Sequence, residues 1–276
     1  MGVFLGGLSS LLYGVADFLG GEGAKRVSPA TVVLWAGIVS FPLILIVALV
    51  SGGEANGSDL LLGAAGGTVG AVGLVSLFAG LGKGHAAAVA PAAAAFSGVF
   101  PVLVALTLGD DISVLTWLGV ALAIPAIVLC SWVADRGDLA MGGVWYGLAA
   151  GLGFGTYTVL LDRTSEASGL LPLIPGRAAT MIVVVAVALT GTWSISGWGS
   201  IPTGIILGNG LLDVSGNVAL LLALRMGDLA PVAVAASFYP AVTVLMARLV
   251  NSEHLRVRQV VGLALTLVAL AAIAVG

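Results

Sequence analysis

The chain has 276 residues, of which 59% are hydrophobic and only 8% are charged, and its mean hydropathy is +1.17. Because a soluble domain usually carries roughly a quarter charged residues, this composition excludes a soluble globular protein. The net charge of −3 comes from few ionisable groups, and the absence of a basic run excludes nucleic acid as an expected partner. The single cysteine, Cys130, excludes an internal disulfide.

Apolar stretches of about 20 residues, the length that crosses a bilayer as a helix, follow one another with short polar breaks. The sequence therefore predicts an all-α integral membrane protein. Ten spans are expected near 2–21, 29–50, 60–80, 85–108, 113–133, 142–161, 170–191, 202–224, 229–250 and 257–275. The first stretch lacks a positively charged start and a small-residue cleavage site, so we expect it to be retained as a span.

The two halves of the sequence resemble each other. With a shift of 143 residues, "GLVSLFAGLGKGHAAAVA" at 73–90 aligns with "GNVALLLALRMGDLAPVA" at 216–233. This alignment favours a duplicated five-helix unit, with one repeat at 1–134 and the other at 142–276. Because five is an odd number, the second repeat enters the membrane from the opposite side. Such inverted repeats are typical of secondary transporters that work by alternating access.

Three further segments carry a family resemblance. "SFYPAVTVLMARLVNSEHLRVRQVVGLALTLVAL" at 237–270 and "GVFPVLVALTLGDDISVLTWLGVALAI" at 98–124 each combine a proline-containing helix, an acidic turn and a glycine-containing helix. "YGVADFLGG" at 13–21 opens the chain. In these features the sequence resembles the EamA-type ten-span exporters of the drug/metabolite transporter superfamily, over nearly the whole chain.

This resemblance implies a helical bundle with a central cavity between the repeats. Helices one, three, four, six, eight and nine would line the cavity, and helices five and ten would pack behind it. We expect a multi-pass protein of the cell's inner (plasma) membrane. The orientation stays open, because the distribution of Lys and Arg puts both termini outside, whereas the resemblance implies cytoplasmic termini.

A polar stripe in the predicted eighth span is the main candidate site. Asn209, Asp213 and Asn217 recur at every fourth residue, so on a helix they share one face. A carboxylate halfway along a span costs roughly 2.5–3.5 kcal/mol on insertion scales, so Asp213 is expected to face a cavity or a partner. The sequence favours a midplane site for substrate or a proton. A structural polar clamp between helices is the alternative.

Other polar residues extend this candidate site. Asp17 shares a face of the first span with Ser10 and Tyr13, and Thr158 is its match in the second repeat. A cavity-lining role and a position at the membrane rim are both open for Asp17. Arg177 lies about 9 Å into the seventh span, where it either pairs with Asp213 or extends to the interface, and the sequence favours the interface.

Hydroxyl and aromatic side chains are candidates for the cavity wall. These are Tyr157, Ser237 and Tyr239, of which Tyr239 stands out because it precedes Pro240. Packing or interfacial anchoring is the alternative for the aromatic residues.

The expected function is export of small amphipathic metabolites, such as apolar amino acids or cationic and zwitterionic compounds. In this hypothesis Asp213 contacts a substrate amine or carries a coupling proton. A sugar phosphate is disfavoured, because its anion would require clustered Lys or Arg. A passive channel or a lipid flippase of the same fold is the alternative. The expected partners are the small-molecule substrate, membrane lipid and a coupling proton, and the oligomeric state stays open, with a monomer compatible with this construction.

An intramembrane enzyme is disfavoured, because the sequence lacks H-E-x-x-H and both histidines, His85 and His254, lie at the rims of predicted spans. No metal and no cofactor is therefore expected.

Overall fold

The computed structural model describes residues 1–83, 86–107, 113–131, 141–197, 199–200, 202–251 and 257–275, and His85 and His254 lie outside these ranges. Almost all of the described chain is helical, and it contains no strand. The helices are α1 (Gly2–Ala24), α2 (Pro29–Ser51), α3 (Gly57–Gly82), α4 (Ala86–Thr107), α5 (Val114–Ser131), α6 (Met141–Asp162), α7 (Leu173–Leu189), α8 (Thr203–Arg225), α9 (Leu229–Ala236), α10 (Tyr239–Asn251) and α11 (Val257–Val275).

Many of these helices are long and apolar enough to cross a membrane. Within the described ranges, six segments meet both criteria: Gly2–Ala24, Pro29–Ser51, Gly57–Gly82, Gly142–Asp162, Thr203–Arg225 and Leu229–Asn251. Shorter apolar helices are Ala88–Val104, Leu173–Leu189 and Val260–Ala272. Large apolar side chains such as Val50 and Leu189 are more than 80% exposed, which suits contact with lipid. The chain is therefore a multi-pass membrane protein.

The helix boundaries follow local sequence. Pro29 begins α2 directly after its N-cap Ser28, whose hydroxyl accepts a hydrogen bond from the Thr31 N–H. A capping box begins α3, in which Asn56 and Asp59 each accept a hydrogen bond from the other's backbone N–H. Both devices satisfy N–H groups that the first turn of a helix leaves unpaired.

The predicted ninth span is interrupted. It consists of α9 and α10, separated by Ser237 and Phe238. Pro240 has no N–H to donate to the carbonyl of Ala236, and its ring obstructs that carbonyl, so a break at this point is the expected effect of the proline. Tyr239 therefore begins a new helix in the middle of the bundle.

The most extensive helix contacts join the first half of the chain to the second. Helix α1 packs along α8, α3 contacts both α6 and α7, α4 packs along α6, and α5 packs along α11. Glycines bring α3 and α7 into backbone contact, since a methyl group at Gly67 would lie only 1.8 Å from the carbonyl oxygen of Gly176. This is the close approach that small residues permit between membrane helices.

Candidate functional site

A central cavity is the best candidate for a functional site. Its volume is about 90 Å³, counted as positions open to the centre of a water-sized molecule. One water needs ~10–15 Å³ on that measure, so the cavity has room for several waters or a small organic group. The polar lining residues are Tyr13, Asp17, Ser97, Tyr157, Thr158, Arg177, Thr180, Asp213, Asn217, Ser237 and Tyr239.

The cavity lies between helices from both halves of the chain. Residues of α1, α3, α4, α6, α8, α9 and α10 line it, in agreement with the helices that the sequence resemblance implied. Two helices that the resemblance did not imply also line the cavity: α2 contributes Ile44, and α7 contributes four residues. The described residues of α5 and α11 contribute none of the lining.

Arg177 and Asp213 form an ion pair in this cavity. The Arg177 guanidinium donates to a carboxylate oxygen of Asp213, and both side chains are less than a tenth exposed. The sequence-based preference for Arg177 at the membrane interface is therefore wrong. The physical reason is its location one turn inside α7, where its side chain is directed inward at α8, and an acid at that depth compensates the buried charge.

Asn217 extends the ion pair into a polar network across three helices. Its side-chain amide donates to the backbone carbonyl of Asp213 at 2.7 Å. Its side-chain oxygen accepts a hydrogen bond from the hydroxyl of Tyr157. The network therefore links α6, α7 and α8, and both Asn217 and Tyr157 lie in the cavity lining as the sequence predicts.

The third member of the polar stripe lies elsewhere. Asn209 is buried, and its amide donates to the backbone carbonyl of Ala16 in α1 at 2.7 Å. It does not belong to the cavity lining, and neither does Ser10, which is also buried. Asn209 therefore connects α8 to α1, whereas Asp213 and Asn217 line the cavity.

Asp17 lies in the cavity lining rather than at the membrane rim. Its side chain is 5% exposed, because α1 continues to Ala24 and leaves Asp17 two turns inside the helix. Within the described residues it has neither a hydrogen bond nor an ion pair. Thr158, its match in the second repeat, also lines the cavity, and its hydroxyl donates to the carbonyl of Phe154 at 3.0 Å.

Hydroxyl groups and aromatic rings complete the wall. The hydroxyls of Ser97 and Ser237 are 3.0 Å apart and hydrogen-bonded. The rings of Phe154 and Tyr239 meet edge to face, with centroids 6.1 Å apart. The Tyr239 hydroxyl is buried close to Ser97, but it forms no hydrogen bond of good geometry with any described residue. Sequence alone gives no signal for Ser97 or Phe154, because such residues are common in apolar helices.

Comparison with known proteins connects this architecture to a family. The sequence profile of the EamA-like transporter family matches residues 1–132 and 141–275. A crystal structure with 16% sequence identity aligns with a TM-score of 0.70 over 98% of this chain and 94% of its own, which shows a shared fold. None of the curated proteins matches the sequence closely enough to count as a relative. Since the family match extends over both halves, the chain belongs to the EamA-like transporter family, within the drug/metabolite transporter superfamily.

Proposed function

We propose that the protein is a secondary transporter that exports small amphipathic molecules by alternating access through the central cavity. The observation that carries this proposal is the central cavity itself, which has ionisable side chains in a largely apolar wall and is lined by residues from both family-matched halves. Buried ionisable residues in membrane helices usually mark a transport path. The candidate substrates are apolar amino acids and small cationic or zwitterionic compounds.

The helix contacts support two five-helix repeats of opposite orientation. If α9 and α10 count as one interrupted span, the chain has ten spans, and α6 then corresponds to α1 and α8 to α3. Two contacts between the halves have a counterpart: α1 packs on α8 as α6 packs on α3, and α2 packs on α8 as α7 packs on α3. Inverted repeats with a site at their interface are the usual construction for alternating access.

The chemistry of the lining restricts the substrate. Arg177 is the only basic residue in the described lining, and it is already paired with Asp213. A phosphate-bearing substrate would need free Arg or Lys side chains. Hydroxyl groups, amide groups and aromatic rings instead suit a molecule with one polar end and an apolar body.

A cavity-filling substitution tests the proposal. Gly70 lines the cavity, and a methyl group there would meet nothing closer than 3.9 Å, so Gly70→Phe fills space in the cavity. Gly7 of α1 has nothing within 4 Å and lies outside the lining, so Gly7→Phe is a matched control. Vesicles with purified protein are given a mixture of isotope-labelled amino acids and monoamines, and the compounds that enter are identified by mass spectrometry.

We expect wild-type and Gly7→Phe vesicles to take up at least one compound and Gly70→Phe vesicles to take up none. Equal uptake with Gly70→Phe would show that the cavity is not the path. Uphill movement driven by an ion gradient identifies a coupled transporter, whereas movement only down the substrate gradient identifies a channel. Movement of a headgroup-labelled lipid in place of the soluble compounds identifies a flippase.

A further inference from the structure

The two acids of the cavity differ in their partners. Asp213 is paired with Arg177, which reaches it from helix α7. Asp17 is 95% buried and lines the same cavity, yet it has no hydrogen bond and no ion pair with any described residue. Among the described lining residues, two acids therefore face one arginine, and the carboxyl group of Asp17 has no basic partner.

Aromatic residues line the same cavity as Asp17. Tyr13 lies one turn earlier on α1, and Phe154, Tyr157 and Tyr239 line the cavity from α6 and α10. Asp17 is within electrostatic range of both Tyr13 and Tyr239. The faces of aromatic rings attract organic cations, and a ring with a nearby carboxylate is a recurring site for substituted ammonium groups.

Other ligands fit this arrangement poorly. Hard metal cations such as Ca²⁺ take six to eight oxygen ligands, whereas the described lining offers Asp17 as its one unpaired carboxylate. An anionic ligand would find no free basic side chain in the described lining. An organic monocation suits both the unpaired carboxyl group and the aromatic surface.

On the basis of the transport function proposed above, we propose that Asp17 is the ammonium-binding residue of the cavity and that the substrates are monocationic amines with an apolar body. The ammonium group would donate hydrogen bonds to the carboxylate of Asp17, and the apolar body would lie against the rings of Tyr13, Phe154 and Tyr239.

The test compares a cation with a neutral molecule of the same shape. Phenethylamine, which is charged at neutral pH, and the isosteric 2-phenylethanol are titrated into purified protein in detergent, with binding measured by calorimetry. We expect wild-type protein to bind the amine about ten- to a hundredfold more tightly than the alcohol, as for a hydrogen bond to a charged group. Asp17→Asn should remove this preference and bind both compounds equally, and Asp17→Glu should restore part of it.

A matched control removes the same charge elsewhere. Asp228 is exposed at the start of α9 and makes no capping hydrogen bond, so Asp228→Asn should keep the full preference for the amine. Retained binding of 2-phenylethanol shows that Asp17→Asn is folded. The proposal is overturned if wild-type protein does not prefer the amine, or if Asp17→Asn keeps that preference.

The outcomes also separate this proposal from the transport function. If Gly70→Phe blocks uptake of an amine that Asp17→Asn transports as well as the wild type does, transport stands and the ammonium site is wrong. If Asp17 governs amine binding but vesicles move no compound, the site stands and transport is wrong.

Discussion

Arg177 of α7 and Asp213 of α8 form a salt bridge inside the cavity, with side chains only 8% and 9% exposed. Two opposite charges at this depth depend on each other, because either one alone would be a buried charge without compensation. The pair also links two helices that line the cavity.

The salt bridge predicts strong coupling between two substitutions. Asp213→Leu or Arg177→Met alone should lower the free energy of unfolding by about 3–5 kcal/mol, since each leaves one buried charge unpaired. The double variant Arg177→Met/Asp213→Leu should regain most of that loss. Unfolding of purified protein in mixed detergent micelles measures all three. A double variant that is as unstable as the sum of the single variants would contradict the mutual dependence.

The divided polar stripe predicts different effects for two asparagines on α8. Asn217→Ala frees Tyr157 and alters the cavity, so we expect the transport KM to rise about fivefold, which corresponds to about 1 kcal/mol. Asn209→Ala removes a bond to the Ala16 carbonyl outside the cavity. It should cost about 1 kcal/mol of stability and leave the KM unchanged. A larger change in KM for Asn209→Ala than for Asn217→Ala would reverse the assignment.

Two glycines of α3 should differ in their tolerance of a methyl group. At Gly67 the added carbon would lie 1.8 Å from the Gly176 carbonyl oxygen, which is backbone and cannot turn aside. We expect Gly67→Ala to lower the free energy of unfolding by about 3 kcal/mol, the upper end of overpacking costs. At Gly70 the nearest atom would be 3.9 Å away, so Gly70→Ala should change stability little. Thermal unfolding in detergent compares the two, and equal midpoints would contradict the close contact.

Asp59 should stabilise the connection between α6 and α7. Its carboxylate accepts hydrogen bonds from the N–H and the hydroxyl of Ser165, both at 2.7 Å, and also completes the capping box of α3. Asp59→Ala should therefore cost about 2 kcal/mol of unfolding free energy. Glu54, an exposed acid just before α3, is the control, and Glu54→Ala should change stability by less than about 0.5 kcal/mol. Equal effects of the two substitutions would show that the Ser165 contacts contribute nothing.

The ten-span arrangement predicts which loops share a side of the membrane. In a Cys130→Ser background, cysteines at Glu54 and Met226 should react with an impermeant maleimide from one side, and a cysteine at Gly199 should react only from the other. All three positions are exposed in connections between helices. Labelling of Gly199→Cys from the same side as Glu54→Cys would refute the inverted repeats.

Sequence predicts the helices better than it predicts the partners of polar residues. The predicted fourth span, 85–108, is close to α4, because a span is set by hydropathy and by the width of the bilayer. Pro101 and Pro240 both lie well inside predicted spans, where each is expected to free a carbonyl and can bend the helix, yet only the span with Pro240 is interrupted, at Ser237 and Phe238. Hydropathy does not distinguish a proline that breaks a helix from Pro101, which α4 accommodates.

For the candidate site, too, the sequence predicts which residues share a helix face but not which helices they contact. A four-residue repeat places Asn209, Asp213 and Asn217 on one face of α8, yet they contact α1, α7 and α6 respectively. Periodicity determines the face, whereas the helix that meets each turn of that face depends on crossing angles that local sequence does not encode. Arg177 and Asp17 follow the same rule, because their burial depends on where helices α7 and α1 begin and end.

The glycine contact between α3 and α7 has a practical consequence for measuring motion. The backbone at Gly67 lies directly against the backbone at Gly176, and the Thr180 hydroxyl of α7 donates to the Gly67 carbonyl at 2.9 Å, so this contact leaves little room for the two helices to slide. Spin labels on the outer surfaces of these two helices should therefore keep a constant separation while substrate is bound and released. That pair of helices provides an internal reference frame in which the displacement of every other helix can be expressed.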